Sequence, residues 1–429
     1  MNPHDLLVES FKTAIAAVHP LRIVPQHLPK PPKGKTLVIG AGKAAASMAA
    51  AVEANWPADA PLLGLVVTRY GHGIPTHRIR VVEAGHPLPD ENGETAAREI
   101  LAAVHALGPD DLLLALFSGG GSSLLALPVE GIAMADLKQI TNDLLRSGAT
   151  IQEINTVRKH LSLIQGGRLA GACRAPVLVL IISDVTGDAA THIASGPCTP
   201  DPSTFADAVA VLRNYEITPP ASVMHVLEEG LAGNRMETFK PGDAVFARVE
   251  NRVIATAGDM LNAARVFFEQ RGISASIVAD AVTGEAREVA QTYAELVREL
   301  SGSHHPWLAP LAFPPLVLLS GGECTVTVRG KGRGGRCSEF LLALALELDG
   351  MQDVYALAAD TDGIDGLEDN AGAYLEPGSI ARARIMSLDP AELLENNDAY
   401  SFFKAIDGLL VTGPTRTNVN DYRVIYLAR

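Results

Sequence analysis

Cysteine, positive charge and long apolar runs are all scarce in this sequence, and each scarcity removes a class of protein. The four cysteines, Cys173, Cys198, Cys324 and Cys337, show neither CxxC pairing nor metal-ligand spacing. That excludes a disulfide framework or a cysteine-based zinc site and fits reduced thiols. Basic residues number 35 against 49 acidic ones, a formal charge of -14, so nucleic acid and anionic membrane surfaces are poor partners. No apolar stretch approaches the ~18 residues of a membrane span. The opening MNPHDLLVESFKTAIAAV is charged and amphipathic, unlike a secretory leader. A cytoplasmic protein is expected.

What is present is a chain of 429 residues, 47% hydrophobic and 20% charged, long enough for two domains and ordinary for a folded one. Short β-rich runs repeatedly end in glycine, serine or aspartate. TLVIG leads into AGKAAASMAAAVEA, DLLLALFS into GGGSSLLAL, APVLVLIIS into DVTGDAATHIASGP, PLVLLS into GGECTVTV, and VYALAA into DTDGIDG. Strand, turn and helical pattern in that order predict α/β architecture with parallel or mixed sheets under crossover helices, and ligands at the carboxyl ends of the strands. A polar, proline-bearing stretch from Thr218 to Asp243 and the Pro/Ser-rich 301–315 mark candidate boundaries. We expect domains at 1–245 and 246–429, and read His304 and His305 as linker rather than metal ligands.

Several turns carry chemistry. Gly40-Ala41-Gly42-Lys43-Ala44-Ala45 follows a strand and opens an Ala-rich helix, the context of a GxGxxA dinucleotide turn. No acidic residue ends the next strand, where LLGLVV runs into TRYGHG, so the ribose partner is missing unless Arg69 serves a phosphate. The second reading makes Lys43 a phosphate ligand, and the third a solvated lysine on a tight turn. Ser118-Gly119-Gly120-Gly121-Ser122-Ser123 offers backbone and hydroxyl donors for a carboxylate or phosphate. No G-x-S-x-G elbow occurs, which excludes that route to a serine hydrolase.

In NTVRKHLSLIQGGRLA, the spacing puts Asn155, Arg158, Ser162 and Gln165 on one stripe, facing either ligand or solvent. Asp184 and Asp188 in SDVTGD, and Asp360, Asp362 and Asp365 in DTDGIDG, could hold Mg²⁺ or accept a proton; their alternative role is turn capping. RGKGRGGR, residues 329–336, is a single copy between a strand and the helix SEFLLALALEL. It reads better as an anion cradle than as an RNA-binding tract, because arginine and close backbone approach are what a transferring phosphoryl group requires.

The sequence resembles the class II glycerate 2-kinase family, whose C-terminal part is the MOFRL domain. The resemblance spans nearly the whole chain and rests on GAGKAAASMA, GHPLPDENG, SGGGSSLLALP, NTVRKHLSLIQGGRLA, ISDVTGD with IASGPCTPDPSTFADA, ETFKPGD, LSGGECTV, GRGGRCSEFLLALAL, ADTDGIDG and VTGPTRTNVND. It implies two Rossmann-like α/β domains with the active site in the cleft between them, a MOFRL region at about 312–425, and transfer from Mg-ATP to the 2-hydroxyl of D-glycerate. By motif match, Lys43 and Arg336 act on the transferring phosphate, with Arg333 as the alternative arginine, and Asp184 is the third catalytic candidate. Cys337-Ser338 stands where many relatives read Asn-Gln.

Substrate contacts are expected at His86, Ser118, Gly119, Gly120, Gly121, Ser122, Ser123 and Arg158. Nucleotide contacts are expected at Gly40, Gly42, Ser320, Gly321, Gly322, Glu323, Arg333, Gly334 and Gly335, and Mg²⁺ ligands at Asp188, Asp360 and Asp362. The expected partners are D-glycerate and ATP, with a homodimer left open as the assembly. Some relatives carry the label hydroxypyruvate reductase, so an NAD(P)H-dependent reductase using the GAGKAA turn is the rival reading, and a non-enzymatic binding module the third.

Overall fold

Val177–Ile182 and Leu112–Phe117 are apolar and buried at every position, a pattern that suits only strands covered on both faces. In the computed structural model, which describes residues 2–185, 187–302 and 315–428, they are central strands of a six-stranded sheet. Its members are β1 (Thr36–Ala41), β2 (Leu62–Arg69), β3 (Ile79–Ala84), β4 (Leu112–Phe117), β5 (Val177–Ile182) and β6 (Val249–Ala255). The order is β3-β2-β1-β4-β5-β6 and every pairing is parallel. This is the doubly wound order whose direction reverses between β1 and β4, so the crevice for ligand lies at their carboxyl ends.

The second sheet comprises β7 (Ser274–Val282), β8 (Leu316–Gly322), β9 (Val354–Asp360), β10 (Gly372–Leu375), β11 (Leu409–Leu410) and β12 (Asp421–Leu427), ordered β11-β10-β9-β12-β8-β7. Only β7 and β8 pair in parallel; the rest is antiparallel. The helix Arg336–Glu347 buries Phe340, Leu341 and Leu344 in the core of this sheet. The α/β class with one parallel and one mixed sheet agrees with the sequence reading.

The division of the chain differs from the expected 1–245 and 246–429. One unit is Pro20–Ala255; the other joins the residues up to His19 to those from Thr256 onward. Two physical reasons account for this. The stretch from Thr218 to Asp243 is no linker: the Glu237 carboxylate accepts from Phe205 N at 2.9 Å and from His160 Nε2 at 3.1 Å, and β6 then completes the first sheet. The N-terminal helix Pro3–Ala17 buries Leu7, Phe11 and Ala14. It packs on β12, with Ser10 Oγ 2.8 Å from the Tyr422 hydroxyl and the Phe11 and Tyr422 rings 5.6 Å apart. His304 and His305 lie outside the described residues.

Phe11→Ala should therefore act as a core deletion, lowering stability by about 3–5 kcal/mol in denaturant unfolding. A helix that merely decorated the surface would keep the change within about 0.5 kcal/mol.

Candidate active site

In the parallel unit, the carboxyl ends of β1, β3 and β4 meet. Gly40 faces Leu116 so closely that a Cβ would overlap its carbonyl, and a Cβ on Gly42 (φ 140°) would overlap Ser118. Ser118, fully buried, accepts a hydrogen bond from Ala44 N at 3.0 Å, and Lys43 N donates to Gly119 O at 2.8 Å. The two glycine turns are thus one packed body. On it, a Cβ built on Gly120 (φ 80°) would lie 2.9 Å from the His86 ring and 3.5 Å from Lys43 Cγ. Lys43, His86 and Gly120, which come from three separate strand ends, are brought together. Gly40, Gly42 and Ser118 are engaged in the packing of β1 against β4.

Beside this body is a small pocket whose lining includes Ser122, Ser123, Leu137, Arg158, Ser162 and Gln165. Arg158 projects from the helix Ile151–His160, whose first turn is held by a Thr150/Glu153 capping box. The expected stripe faces inward: Asn155, Ser162 and Gln165 are buried and Arg158 is half-buried. Gln165 Nε2 donates to Ser122 O at 2.8 Å, fixing the turn. Arg158 has no hydrogen-bond or ion-pair partner among the described residues. Burial lowers its pKa to about 10, which leaves it charged at neutral pH. A cation held away from water without a counter-charge is unfavourable, and an entering anion relieves it. The next residue shows the contrast. Lys159 is buried, and its ammonium meets Asp201 at 3.3 Å and Thr191 Oγ1 at 3.0 Å.

Asp184 follows β5 and is half-buried; Asp188 is exposed in the loop beyond, at φ 53°. Asn155, a member of that stripe, and Ser195, to which the sequence assigned no role, sit behind Ser122. Ser195 carries no sequence signal, because its left-handed backbone occupies a serine rather than a glycine.

In the other unit the 329–336 loop is not an open cradle. Arg329 N and Gly330 N donate to Asn397 Oδ1 at 2.7 and 2.9 Å, Lys331 N to Asn396 Oδ1 at 3.0 Å, Gly332 N to Asn396 O at 2.9 Å and Arg333 N to Asp398 at 3.1 Å. The start of the following helix is likewise taken, since Cys337 N and Ser338 N donate to Asp365 at 3.0 and 2.8 Å. Gly335 N donates to Ser338 Oγ at 3.1 Å, and a Cβ on Gly335 would overlap Asp365. Arg333 is exposed, 3.5 Å from Glu368 and 4.6 Å over the Tyr400 ring.

Arg336 contacts Asp421 at 2.9 Å, Asp360 at 2.8 Å and Glu323 at 3.1 Å, and Asp421 is shared with the buried Arg423. Burial opposes the charge of Arg336, but Asp421, Asp360 and Glu323 overcome it and hold its pKa well above the ordinary value. Ser320, Gly321 and Gly322 are the last three residues of β8, where Gly322 pairs with Asp421. Asp360 Oδ1 accepts from Asp362 N, and Asp362 Oδ1 accepts from Ile364 N, both at 2.9 Å. Among the described residues no three His, Cys, Asp or Glu side chains form a metal-holding group; Asp188 lies exposed after β5, while Asp360 and Asp362 are buried beside Arg336.

Comparison with known proteins supplies independent evidence. Residues 6–228 match a domain of unknown function, DUF4147, and residues 316–421 match the MOFRL family. An Agrobacterium vitis protein bearing a provisional hydroxypyruvate reductase name is 47% identical, covering 100% of this chain and 95% of its own. The D-glycerate 2-kinase of Thermotoga maritima is 40% identical over 97% of this chain and 96% of its own. A crystal structure of glycerate kinase from Thermotoga maritima superposes with a TM-score of 0.85 at 38% identity, covering 99% of both chains. With that identity, coverage and shared fold, the chain belongs to the glycerate kinase family that carries the MOFRL domain.

Proposed function

We propose that the protein is an ATP-dependent kinase that phosphorylates D-glycerate at its 2-hydroxyl. The observation that carries the reading is Arg158: a half-buried cation with no counter-charge among the described residues, in a hydroxyl-lined pocket beside Lys43 and His86. A three-carbon hydroxy acid supplies one carboxylate for such a cation and hydroxyls for the serines. In this assignment Arg158 binds the carboxylate, and Ser122 and Ser123 contact the hydroxyls. Lys43 offsets charge developing on the phosphoryl oxygens, where positive charge fixed in advance contributes most. Asp184, at the end of β5, is the candidate to receive the hydroxyl proton or to contact Mg²⁺. The ion is proposed to arrive on the ATP phosphates, since Mg²⁺ needs only one or two protein carboxylates when phosphates hold it.

The reductase reading fares worse on the same turn. The space that a pyrophosphate needs beside the second glycine of GxGxxA is filled at Gly42 by Ser118, and β2 ends in Thr68-Arg69 with no acidic ribose partner. Arg336 carries the motif match to a phosphate-binding arginine, and Glu323, whose side chain is 52% exposed, is the partner an anion would replace at least cost.

Purified protein with Mg-ATP and D-glycerate should form 2-phosphoglycerate, while NAD(P)H with hydroxypyruvate should show no oxidation; the reverse pattern sinks the reading. Lys43→Ala should lower kcat by about 10²–10³ with a folded protein. Arg158→Ala should raise KM for glycerate by about 10- to 100-fold, the value of a charged hydrogen bond, while leaving KM for ATP in place. Arg336→Ala should cost stability as well as turnover, about 3–5 kcal/mol, because Asp421 and Asp360 lose their cation in the interior. Its unfolding curve must be measured beside its kinetics, and an unchanged curve would refute the structural half of that role.

A further inference from the structure

β2 and β3 end at the same level of the first sheet. They pair in parallel with Arg69 beside Ala84, so Tyr70, the first residue beyond β2, follows on next to Gly85 and His86, the first beyond β3. Residues 85–90 then lead into the helix Glu91–His105. That short loop faces two ways. His86 meets the Gly120 turn and Lys43, and Pro89 is buried in the wall of the Arg158 pocket, while Leu88 is exposed. The conformation of the loop therefore decides where two side chains of the site stand.

A single carboxylate ties the two ends of the loop together. Asp90 Oδ1 caps the helix, accepting from Gly93 N at 3.0 Å. Capping needs only that one oxygen. Asp90 Oδ2 reaches back instead: it accepts from the Tyr70 hydroxyl at 2.7 Å and lies against Gly85, where a Cβ would come within 3.1 Å of it. Asn92 Nδ2 donates to the Tyr70 oxygen at 3.1 Å, which leaves the phenol proton for Asp90. Burial works against the Asp90 charge, yet the amides of Gly93 and Gly85 and the Tyr70 hydroxyl outweigh it and hold its pKa below the ordinary value.

Helix stability accounts for Oδ1 but not for Oδ2. The Tyr70 ring is 54% exposed, so little apolar burial is gained by placing it there. What the second oxygen does is geometric: it fixes the start of the loop to its end, and with it the His86 ring over Gly120.

We propose that Asp90, held by Tyr70, is a positioning residue that clamps the loop after β3 so that His86 stands beside Lys43 and Pro89 closes the substrate pocket. This rests on the kinase reading and adds to it two residues that act through the loop rather than on the substrate.

The test uses the full-length protein with Tyr70→Phe, Asp90→Asn and the two combined. Tyr70→Phe removes only the hydroxyl. Asparagine caps a helix as well as aspartate does, so Asp90→Asn keeps the helix start while an amide nitrogen replaces the acceptor that faces Tyr70 and Gly85. Melting temperatures should stay within about 2 °C of the wild type. kcat/KM for D-glycerate should fall about 10-fold in each variant, short of the about 10²-fold that an ångström of misplacement can cost, while KM for ATP holds. The combined variant should lose no more than either alone, because both changes open one clamp. A readout independent of turnover is the rate at which diethyl pyrocarbonate modifies His86, followed by peptide mass spectrometry; it should rise several-fold in each variant.

Unchanged kcat/KM in both variants overturns the clamp while leaving the kinase reading standing. Losses that add in the combined variant, with a lowered melting temperature, also overturn it, since they mark two separate structural contacts. A wild type inert towards D-glycerate brings down the kinase reading, and the His86 modification rate then decides alone: a rise in the variants supports the clamp and no rise overturns it.

Discussion

The fit between the ends of β1 and β4 is the constraint on which the site depends. Side chains at Gly40 and Gly42 would collide with β4 and the turn after it. Only their absence lets Ser118 receive the Ala44 amide and lets Lys43 and His86 meet over Gly120. In a doubly wound sheet the switch point opens a crevice by topology alone. Here packing closes part of that crevice and leaves a smaller polar pocket lined by Arg158. A dinucleotide needs the closed part; a three-carbon acid does not. The same glycines that suggest a cofactor turn are held against β4 and the turn after it.

A second device governs the 329–336 segment, and its logic also lies in glycine. Residues 330 and 332 lie flat against Asn396 and Asp398, where any Cβ would overlap. The amides of 329 to 333 are all spent on the 396–398 stretch. Alternating glycine therefore buys rigidity rather than openness. Cations on a loop pinned at five successive amides lose little conformational freedom when they bind something, which a mobile loop could not offer.

Much of the architecture was legible because its cause is local. Strands aliphatic on both faces, each ending in a glycine turn, imply a parallel sheet, and the convergence of Lys43, His86 and Gly120 follows from topology acting on those turns. What could not be read were the partners of groups whose own sequence context is silent. Nothing in RGKGRGGR announces that Asn396, Asn397 and Asp398 will occupy its amides. Nothing in DTDGIDG shows Asp365 turning back to hold Cys337 and Ser338, or Asp360 paired to Arg336. The DTDGIDG cluster resembles a metal site by composition, yet Asp360 pairs with Arg336 and Asp360, Asp362 and Asp365 accept from backbone amides. The domain boundary failed for a related reason. The proline-bearing 218–243 stretch has the composition of a linker, but Glu237 ties it to Phe205 and His160. The N-terminal helix, meanwhile, answers to Tyr422, more than four hundred positions away.

Cations in this protein separate by whether the fold supplies their counter-charge, and that separation says more about function than motif membership does. Lys159 has Asp201 and Arg423 has Asp421, both buried pairs; these are parts of the frame, costly to break from either side. Arg336 has three carboxylates, so its motif match to a phosphate-binding arginine is met by a side chain already committed to the ends of β8, β9 and β12. Arg158 adjoins Lys159 in sequence and differs in one respect: among the described residues the fold gives it nothing. Two neighbouring cations on one helix, one neutralised from within and one left for an incoming anion, are hard to explain by stability alone. A hydrophobic residue at 158 would hold the helix as well and spare the desolvation. The cost of keeping the guanidinium there is intelligible if its partner is an incoming anion rather than one of the described residues.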